Sequence, residues 1–117
     1  MATELTRSFD NWYDGLSHNA WIDDGVMEVY VRKAHHLCGA LVLETIDVAN
    51  VTIFDEKDRG CGLFTGFLEH VEDYQQVVYV ENLLNPRLAV FFDKRGYLRV
   101  KNTGDIDWIP SFYKEFT

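Results

Sequence analysis

The chain has 117 residues, of which 47% are hydrophobic and 15% aromatic, and its formal net charge at pH 7 is -8. This length allows one domain rather than two, and the hydrophobic fraction excludes an intrinsically disordered chain. The acidic balance argues against bare nucleic acid as a partner and suits a cationic one, such as an amine or a lysine side chain. Acidity of this kind also simply keeps proteins soluble.

The two cysteines, Cys38 and Cys61, stand in no CxxC arrangement. They predict neither a zinc site nor a disulfide framework, and they fit a reduced, cytoplasmic setting. No apolar run approaches the roughly 18 residues that a membrane-spanning helix needs. Residues 1–10 also lack the apolar centre of a signal peptide. We therefore expect no membrane partner and no resident metal.

In the first half of the chain, hydrophobic spacing predicts one helix and three strands. Apolar residues at i, i+3, i+4 and i+7 from Phe9 indicate a short amphipathic helix ending near Gly15. A turn is expected at 21–25. Three segments rich in β-branched residues then have the character of strands, and their short connections predict an antiparallel meander: 27–34, 37–44 and 46–54.

In the second half, the pattern changes to alternating helices and strands. A helix is predicted after the glycine turn at 60–62, because five apolar residues follow a period near 3.6: Leu63, Phe64, Phe67, Leu68 and Val71. Residues 76–81 form an apolar run, as in a strand that is covered on both faces. Asn85-Pro86 begins another helix and Gly96 ends it. The remaining strand segments are 97–101 and 108–116.

This order of elements predicts a single α+β domain over 1–117. The sheet is mixed and mostly antiparallel, with helices on both faces. A parallel pair of strands is expected where the central helix crosses over the sheet.

The segment VTIFDEKDRGCG, residues 51–62, carries the clearest chemical signal. A strand runs into a glycine-rich turn that opens a helix, so unpaired backbone N–H groups and the positive end of the helix dipole face one spot. Such a turn suits a phosphate or diphosphate, and glycine permits its close approach. Lys57 and Arg59 flank the turn and add positive charge.

Two segments of the chain resemble the GNAT family of N-acetyltransferases. Lys57, Gly60 and Gly62 occupy the defined positions of that family's coenzyme A loop, Q/R-x-x-G-x-G/A. Further on, NPRLAVFFDKRGY resembles the second signature, N-x-x-A-x-x-x-Y-x-x-x-G-F, with Asn85, Gly96 and Tyr97 matching in spacing and nearly in kind. The resemblance covers about 27–100.

The resemblance implies a fold and a ligand. Such proteins have a sheet that splays open between two central strands, here 48–54 and 77–81, and acetyl-CoA lies in the cleft as co-substrate. The pantetheine arm would pair with strand backbone, the diphosphate would rest on amides of the glycine loop, and the next helix would contact the arm. The residues implied in cofactor binding are Ile53, Phe54, Lys57, Arg59, Gly60, Cys61, Gly62, Leu63, Asn85 and Phe92.

The catalytic groups are less well defined than the cofactor site. Glu44, Asp47 and Glu81 are candidate bases, with the pair His35-His36 as an alternative. Because this pair falls between two predicted strands, an exposed turn is expected there. Each of these carboxylates also fits an ordinary surface role. Phe92 stands where many family members have a tyrosine that protonates the leaving thiolate. Cys61, in the variable loop position, is expected to be a packing residue.

Two functions are compatible with these features. The first is transfer of an acetyl group from acetyl-CoA to a primary amine, on a small molecule or on a protein lysine or N-terminus. The second is a structural or binding role without strong catalysis, since 78–97 also resembles the end of an internal virion protein of short-tailed phages. The first strand and the helices that wall the acceptor site in the family are expected to be trimmed. A homo-oligomer or a virion assembly could complete that pocket.

Overall fold

The computed structural model describes residues 4–38, 40–58, 62–81, 86–100 and 111–116. Within these ranges, three α-helices and a six-stranded sheet with the strand order β1-β2-β3-β4-β6-β5 make up the fold. The elements in chain order are α1 Glu4–Asp14, β1 Asn19–Asp23, β2 Met27–Cys38, β3 Leu41–Ile53, α2 Leu63–Glu72, β4 Val77–Val80, α3 Pro86–Lys94, β5 Leu98–Arg99 and β6 Phe112–Glu115. No helix in the described ranges is long and apolar enough to cross a membrane.

The N-terminal part of the sheet differs from the prediction in two places. Of the turn expected at 21–25, only the second half is a turn, because the first half belongs to β1. There Ile22 is buried and Trp21 packs against Tyr30 across the β1–β2 pair. The Asp24 carboxylate accepts the backbone N–H groups of Val26 and Met27, which closes this turn. The two strands expected at 37–44 and 46–54 are largely the single strand β3, in which Thr45 continues the pairing with β2.

The remaining strand pairs give the mixed sheet that the sequence predicts. β1, β2 and β3 are antiparallel, β3 and β4 are parallel across the α2 crossover, and β6 runs antiparallel to both β4 and β5. The predicted helix after the glycine turn is α2, and the helix predicted from Asn85-Pro86 is α3. Gly96 follows α3 with a φ of +83°, the left-handed conformation expected at a helix end.

One face of the sheet carries the hydrophobic core. Val31, Val48 and Val78 project from adjacent strands into it, together with Phe9 of α1 and Phe67 of α2. In the described ranges, buried side chains of α1, α2 and α3 all belong to this core. The opposite face therefore presents its side chains without a described helix over them.

Three tyrosines are buried or partly buried between these elements, and two of them donate to carboxylates. Tyr74 donates to Asp10 and Tyr97 donates to Glu72, while Tyr79 lies buried on β4. Burial raises the pKa of Tyr74, Tyr79 and Tyr97, and the carboxylate acceptors raise it further for Tyr74 and Tyr97.

We expect the protein to lose stability as the pH rises above about 10, where tyrosines of the unfolded chain ionise. Since the pKa of each tyrosine is raised on folding, its contribution to the free energy of unfolding is fully present below that pH. This contribution is lost as the pH rises towards the folded-state pKa. Urea unfolding at pH 8 and pH 11 measures the loss. Tyr97→Phe should make the loss smaller, and an equal loss in that variant would contradict the assignment.

Candidate functional site

The parallel pairing of β3 and β4 stops before β3 ends, and the space beside the unpaired part of β3 is named the cleft. The paired residues run from Thr45 with Val77 to Val48 with Val80, and β4 then ends while β3 continues to Ile53. In the described ranges, the edge of β3 that faces β4 therefore has no strand partner from Ala49 onward. Unpaired strand edges present N–H and C=O groups to any extended ligand.

A β-bulge marks the start of this open edge. Glu28 pairs with Thr52 and Tyr30 pairs with Ala49, so β3 carries one residue more than β2 over the interval. Asn50 accommodates the extra residue with a φ of +48°, a conformation that asparagine adopts more readily than most residues. Bulges leave backbone groups outside the ladder and re-aim the strand, and they are enriched beside active sites.

Helix α2 begins close to the same end of the sheet. Gly62 takes the cap position with a φ of +79°, no side chain caps the helix, and the Gly66 amide bonds to the Gly62 carbonyl at 3.0 Å. The first N–H groups of α2 are thus without a side-chain cap, and they lie at the positive end of the helix dipole. This geometry suits an anion.

The predicted cofactor residues divide into described and undescribed ones. Ile53 ends β3, Phe54 follows it and is exposed, and Lys57 is exposed in a single 3₁₀ turn at Glu56–Asp58. Leu63 begins α2. Four others lie outside the described residues: Arg59, Gly60, Cys61 and Asn85.

Phe92 does not line the cleft. Its side chain is 0% exposed and packs in an aromatic cluster with Phe64, Phe91, Tyr97 and Phe112. Phe92, which was predicted to bind the cofactor, is therefore a residue of the core. Its place on the inner side of α3 follows from the same helical spacing that predicted that helix.

On the face of the sheet opposite the core, a polar cluster surrounds Asp47. The Asp47 side chain is 1% exposed and accepts hydrogen bonds from Arg32 Nε at 2.9 Å, Arg32 Nη2 at 2.6 Å and Thr45 Oγ1 at 2.6 Å. His36 Nε2 lies 2.7 Å from the same carboxylate. Burying a carboxylate is costly unless it is hydrogen-bonded and paired, as it is here.

Arg32 links Asp47 to a second carboxylate. Its Nη2 also donates to Glu81, the residue directly after β4, whose side chain is 29% exposed. Burial by itself would lower the pKa of Arg32, but the hydrogen bond and charge of Asp47, together with Glu81, raise it. The guanidinium is therefore a permanent cation shared by two carboxylates.

His36, Asp47 and Glu81 each bring one possible metal-ligand atom within 4.8 Å of the others. The Arg32 guanidinium already bonds both carboxylates, so a cation occupies the place that a metal would take. The His36 ring stacks on Tyr79 with the ring centroids 3.7 Å apart. This arrangement is typical of a fixed polar network and does not require a metal.

The three predicted bases are in different environments. Glu44 is 82% exposed and lies 3.6 Å from His35, on the part of β3 away from the cleft. Asp47 has its oxygens engaged by donors. Glu81 is partly exposed and bonds Arg32, and of the three predicted bases it lies nearest the point where β4 ends and the open edge of β3 begins.

The pair His35-His36 does not form the exposed turn that the sequence suggested. Both residues lie within β2, and alternation along the strand separates exposed His35 from partly buried His36. Sequence reasoning missed Arg32 and Thr45. The available signal was strand alternation, which places Arg32 and His36 on one face of β2 and Thr45 and Asp47 on one face of β3.

Cys38 is buried at the end of β2 and forms no disulfide. Burial, together with the nearby negative charges of Glu115 and Asp47, raises the pKa of its thiol. A thiol with a raised pKa is a poor nucleophile at neutral pH. Cys38 is therefore a packing residue, and Cys61 lies outside the described residues.

No family model and no curated protein matches the sequence. A mutant AtaT toxin bound to the C-terminus of its antitoxin AtaR and acetyl-CoA has a TM-score of 0.62 and 13% identity, over 97% of this chain and 75% of that one. The KacTA–DNA complex has a TM-score of 0.62 and 13% identity, over 96% of this chain and 76% of that one. A Corynebacterium glutamicum structure of histone acetyltransferase HPA2 and related acetyltransferase has a TM-score of 0.59 and 11% identity, over 94% of this chain and 71% of that one. Identities this low show the fold alone: the chain has the GNAT fold of acetyltransferases.

Proposed function

We propose that the protein is an N-acetyltransferase that transfers the acetyl group of acetyl-CoA to a primary amine. The observation that carries the proposal is the open edge of β3 beyond Val48, next to the uncapped start of α2. An extended, amide-bearing arm ending in a diphosphate is complementary to an unpaired strand edge that leads to a helix N-terminus. The AtaT neighbour, which has the same fold, binds acetyl-CoA.

In this proposal, the pantetheine arm pairs with the backbone near Ile53 and Phe54, and the diphosphate rests on amides from Lys57 to Leu63. Arg59, Gly60, Cys61 and Asn85 belong to the same site by their motif positions. Lys57, which is exposed, supplies positive charge near the diphosphate. The reaction as proposed uses no metal.

The chemistry requires a proton acceptor and an oxyanion site. Glu81 takes a proton from the ammonium group of the acceptor, and the free amine attacks the thioester carbonyl. Backbone N–H groups at the β3 bulge would stabilise the negative charge on the carbonyl oxygen. Collapse of the tetrahedral intermediate expels the thiolate, which takes a proton from solvent. No side-chain acid is essential, because a thiol with a pKa of roughly 8.5 leaves readily.

The acceptor is proposed to be an amine on a small molecule or on a protein, and the setting is proposed to be the cytoplasm. Two neighbours of the same fold form toxin–antitoxin or DNA complexes, which makes a protein partner compatible with this fold. The polar face with Glu81 carries two carboxylates and one permanent cation, so it favours a positively charged acceptor.

Calorimetric titration with acetyl-CoA tests the cofactor site, with dephospho-CoA and desulfo-CoA as ligand controls. We expect micromolar binding by the natural chain and loss of binding in Gly60→Glu, because a charged side chain would enter the diphosphate position of the motif. Leu16→Glu is the matched control, since it adds the same charge at a fully exposed position. Unchanged affinity in Gly60→Glu would refute the site.

A turnover assay over a panel of amines tests the base. Glu81→Gln should lower kcat by about 100-fold or more, which is the usual contribution of a general base. Glu44→Gln, an exposed carboxylate on β3, should leave kcat unchanged. Equal rates in the two variants would remove Glu81 from the mechanism.

The second candidate is a protein of this fold with a structural or binding role, for example a phage internal virion protein. It is favoured by Phe92, which is buried and supplies no hydroxyl group to the cleft. No binding of acetyl-CoA at millimolar concentration would make this candidate the leading one.

A further inference from the structure

A cavity of about 450 Å³ lies between α1, α2 and the β1–β2 turn. Its volume falls within the range of small-molecule sites, about 300–1,000 Å³. The cavity is separate from the polar cluster around Asp47, which occupies the opposite face of the sheet.

The floor of the cavity is apolar. Leu5 of α1, Met27 of β2 and Phe67 of α2 form it, and each is buried beneath the opening. On the α2 side, Gly66 contributes no side chain, and a Cβ built there would meet no atom within 4 Å. Glycine inside a helix costs about 1 kcal/mol relative to alanine. At this position it leaves the cavity open along the helix.

The rim of the cavity is acidic. Asp24, Glu69 and Asp73 line it, and among the described residues no lysine or arginine does. The one other ionisable lining group, His70, is directed to Asp10, with its Nε2 2.7 Å from that carboxylate. The negative side chains at the rim disfavour phosphates and carboxylates as ligands, although Gly62 and Leu63 border both this cavity and the proposed diphosphate site.

The acidic residues on α2 are unfavourably placed in the protein by itself. Glu69 and Asp73 stand four residues apart on one helix face, where like charges repel. Asp73 is also at the C-terminal end of α2, which carries the negative end of the helix dipole. A positive charge held at the rim would relieve both effects.

We propose that this cavity binds an organic cation, namely a protonated amine attached to an apolar ring or chain. The apolar part fills the floor formed by Leu5, Met27 and Phe67, and the ammonium group lies at the rim near Glu69 and Asp73. This assignment does not rest on the proposed acetyl transfer, because none of its residues takes a role in that reaction except Gly62 and Leu63 at the cavity edge.

The test is an NMR titration of the full chain with phenethylamine, with 2-phenylethanol and 3-phenylpropanoate as neutral and anionic probes of similar shape. We expect saturable amide shifts at Gly66 and His70 with the amine, and at least about tenfold weaker binding of the other two probes, since each 1.4 kcal/mol of lost interaction is tenfold. Binding of the amine should weaken as salt is added.

Two variants locate the binding. Glu69→Gln/Asp73→Asn should weaken amine binding about tenfold. The control Glu44→Gln/Glu115→Gln makes the same change in net charge at exposed positions on two strands, β3 and β6, and should leave binding unchanged. Gly66→Trp should fill the cavity and abolish binding. If that variant is misfolded by circular dichroism, Gly66→Leu replaces it. Equal affinity for the amine and the alcohol, or no saturable shifts at millimolar probe, would overturn the proposal.

Discussion

Asp47→Ala should lower the free energy of unfolding by about 3 kcal/mol, which is the usual effect of removing one partner of a buried ion pair. The Asp47 side chain is 1% exposed, and the substitution would leave Arg32, Thr45 and His36 without their shared acceptor. Urea unfolding monitored by circular dichroism measures the loss.

The matched control is Glu44→Ala, on the same strand. That carboxylate is exposed, so we expect its removal to change the unfolding free energy by less than about 0.5 kcal/mol. The double variant Arg32→Met/Asp47→Leu should recover part of the loss, because an apolar pair can replace a buried ion pair. Similar losses from Asp47→Ala and Glu44→Ala would show that the cluster has no role in stability.

Phe92→Ala should destabilise the protein by about 4 kcal/mol, in the range measured for buried phenylalanines. The side chain contacts four other aromatic rings and none of its surface reaches solvent. Val90→Ala, an exposed position on the same helix, should have little effect. Thermal and urea unfolding of both variants measure the difference.

Phe92→Tyr distinguishes a core residue from a catalytic position. The family resemblance alone would predict a gain in turnover, whereas the buried site predicts a loss of about 1–3 kcal/mol in stability, because the new hydroxyl group has no partner there. Increased turnover with unchanged stability would show that position 92 faces the cofactor.

The helices could be predicted because their signals are local. Residues Leu63 to Val71 repeat with the helical period, and Gly96 ends α3 in the conformation that only glycine adopts freely. β1 was missed because Asp24-Gly25 gives a strong turn signal, and it is the packing of Ile22 and Trp21 that extends the pairing. Long-range packing outweighs local propensity at such positions.

The candidate site could be predicted less completely than the fold. The open edge of β3 followed from the family resemblance, and Asp47 and Glu81 were identified as carboxylates of interest. The sequence could not reveal that Arg32 connects them, since Arg32 lies on β2, Asp47 on β3 and Glu81 directly after β4, and the three meet only in the folded sheet. Phe92 shows the opposite case, in which a motif position suggested chemistry and packing determined the role.

The bulge at Asn50 reverses, partway along β3, the alternation of side chains between the two faces of the sheet. Asp47 and Ile53 are both odd-numbered, yet Asp47 faces the polar side while Ile53, paired with Met27, packs towards the core. A strand without the extra residue would direct both side chains to the same face. The inserted residue therefore allows a continuous strand to contribute a charged group at one end and a hydrophobic contact at the other, on opposite sides of the sheet.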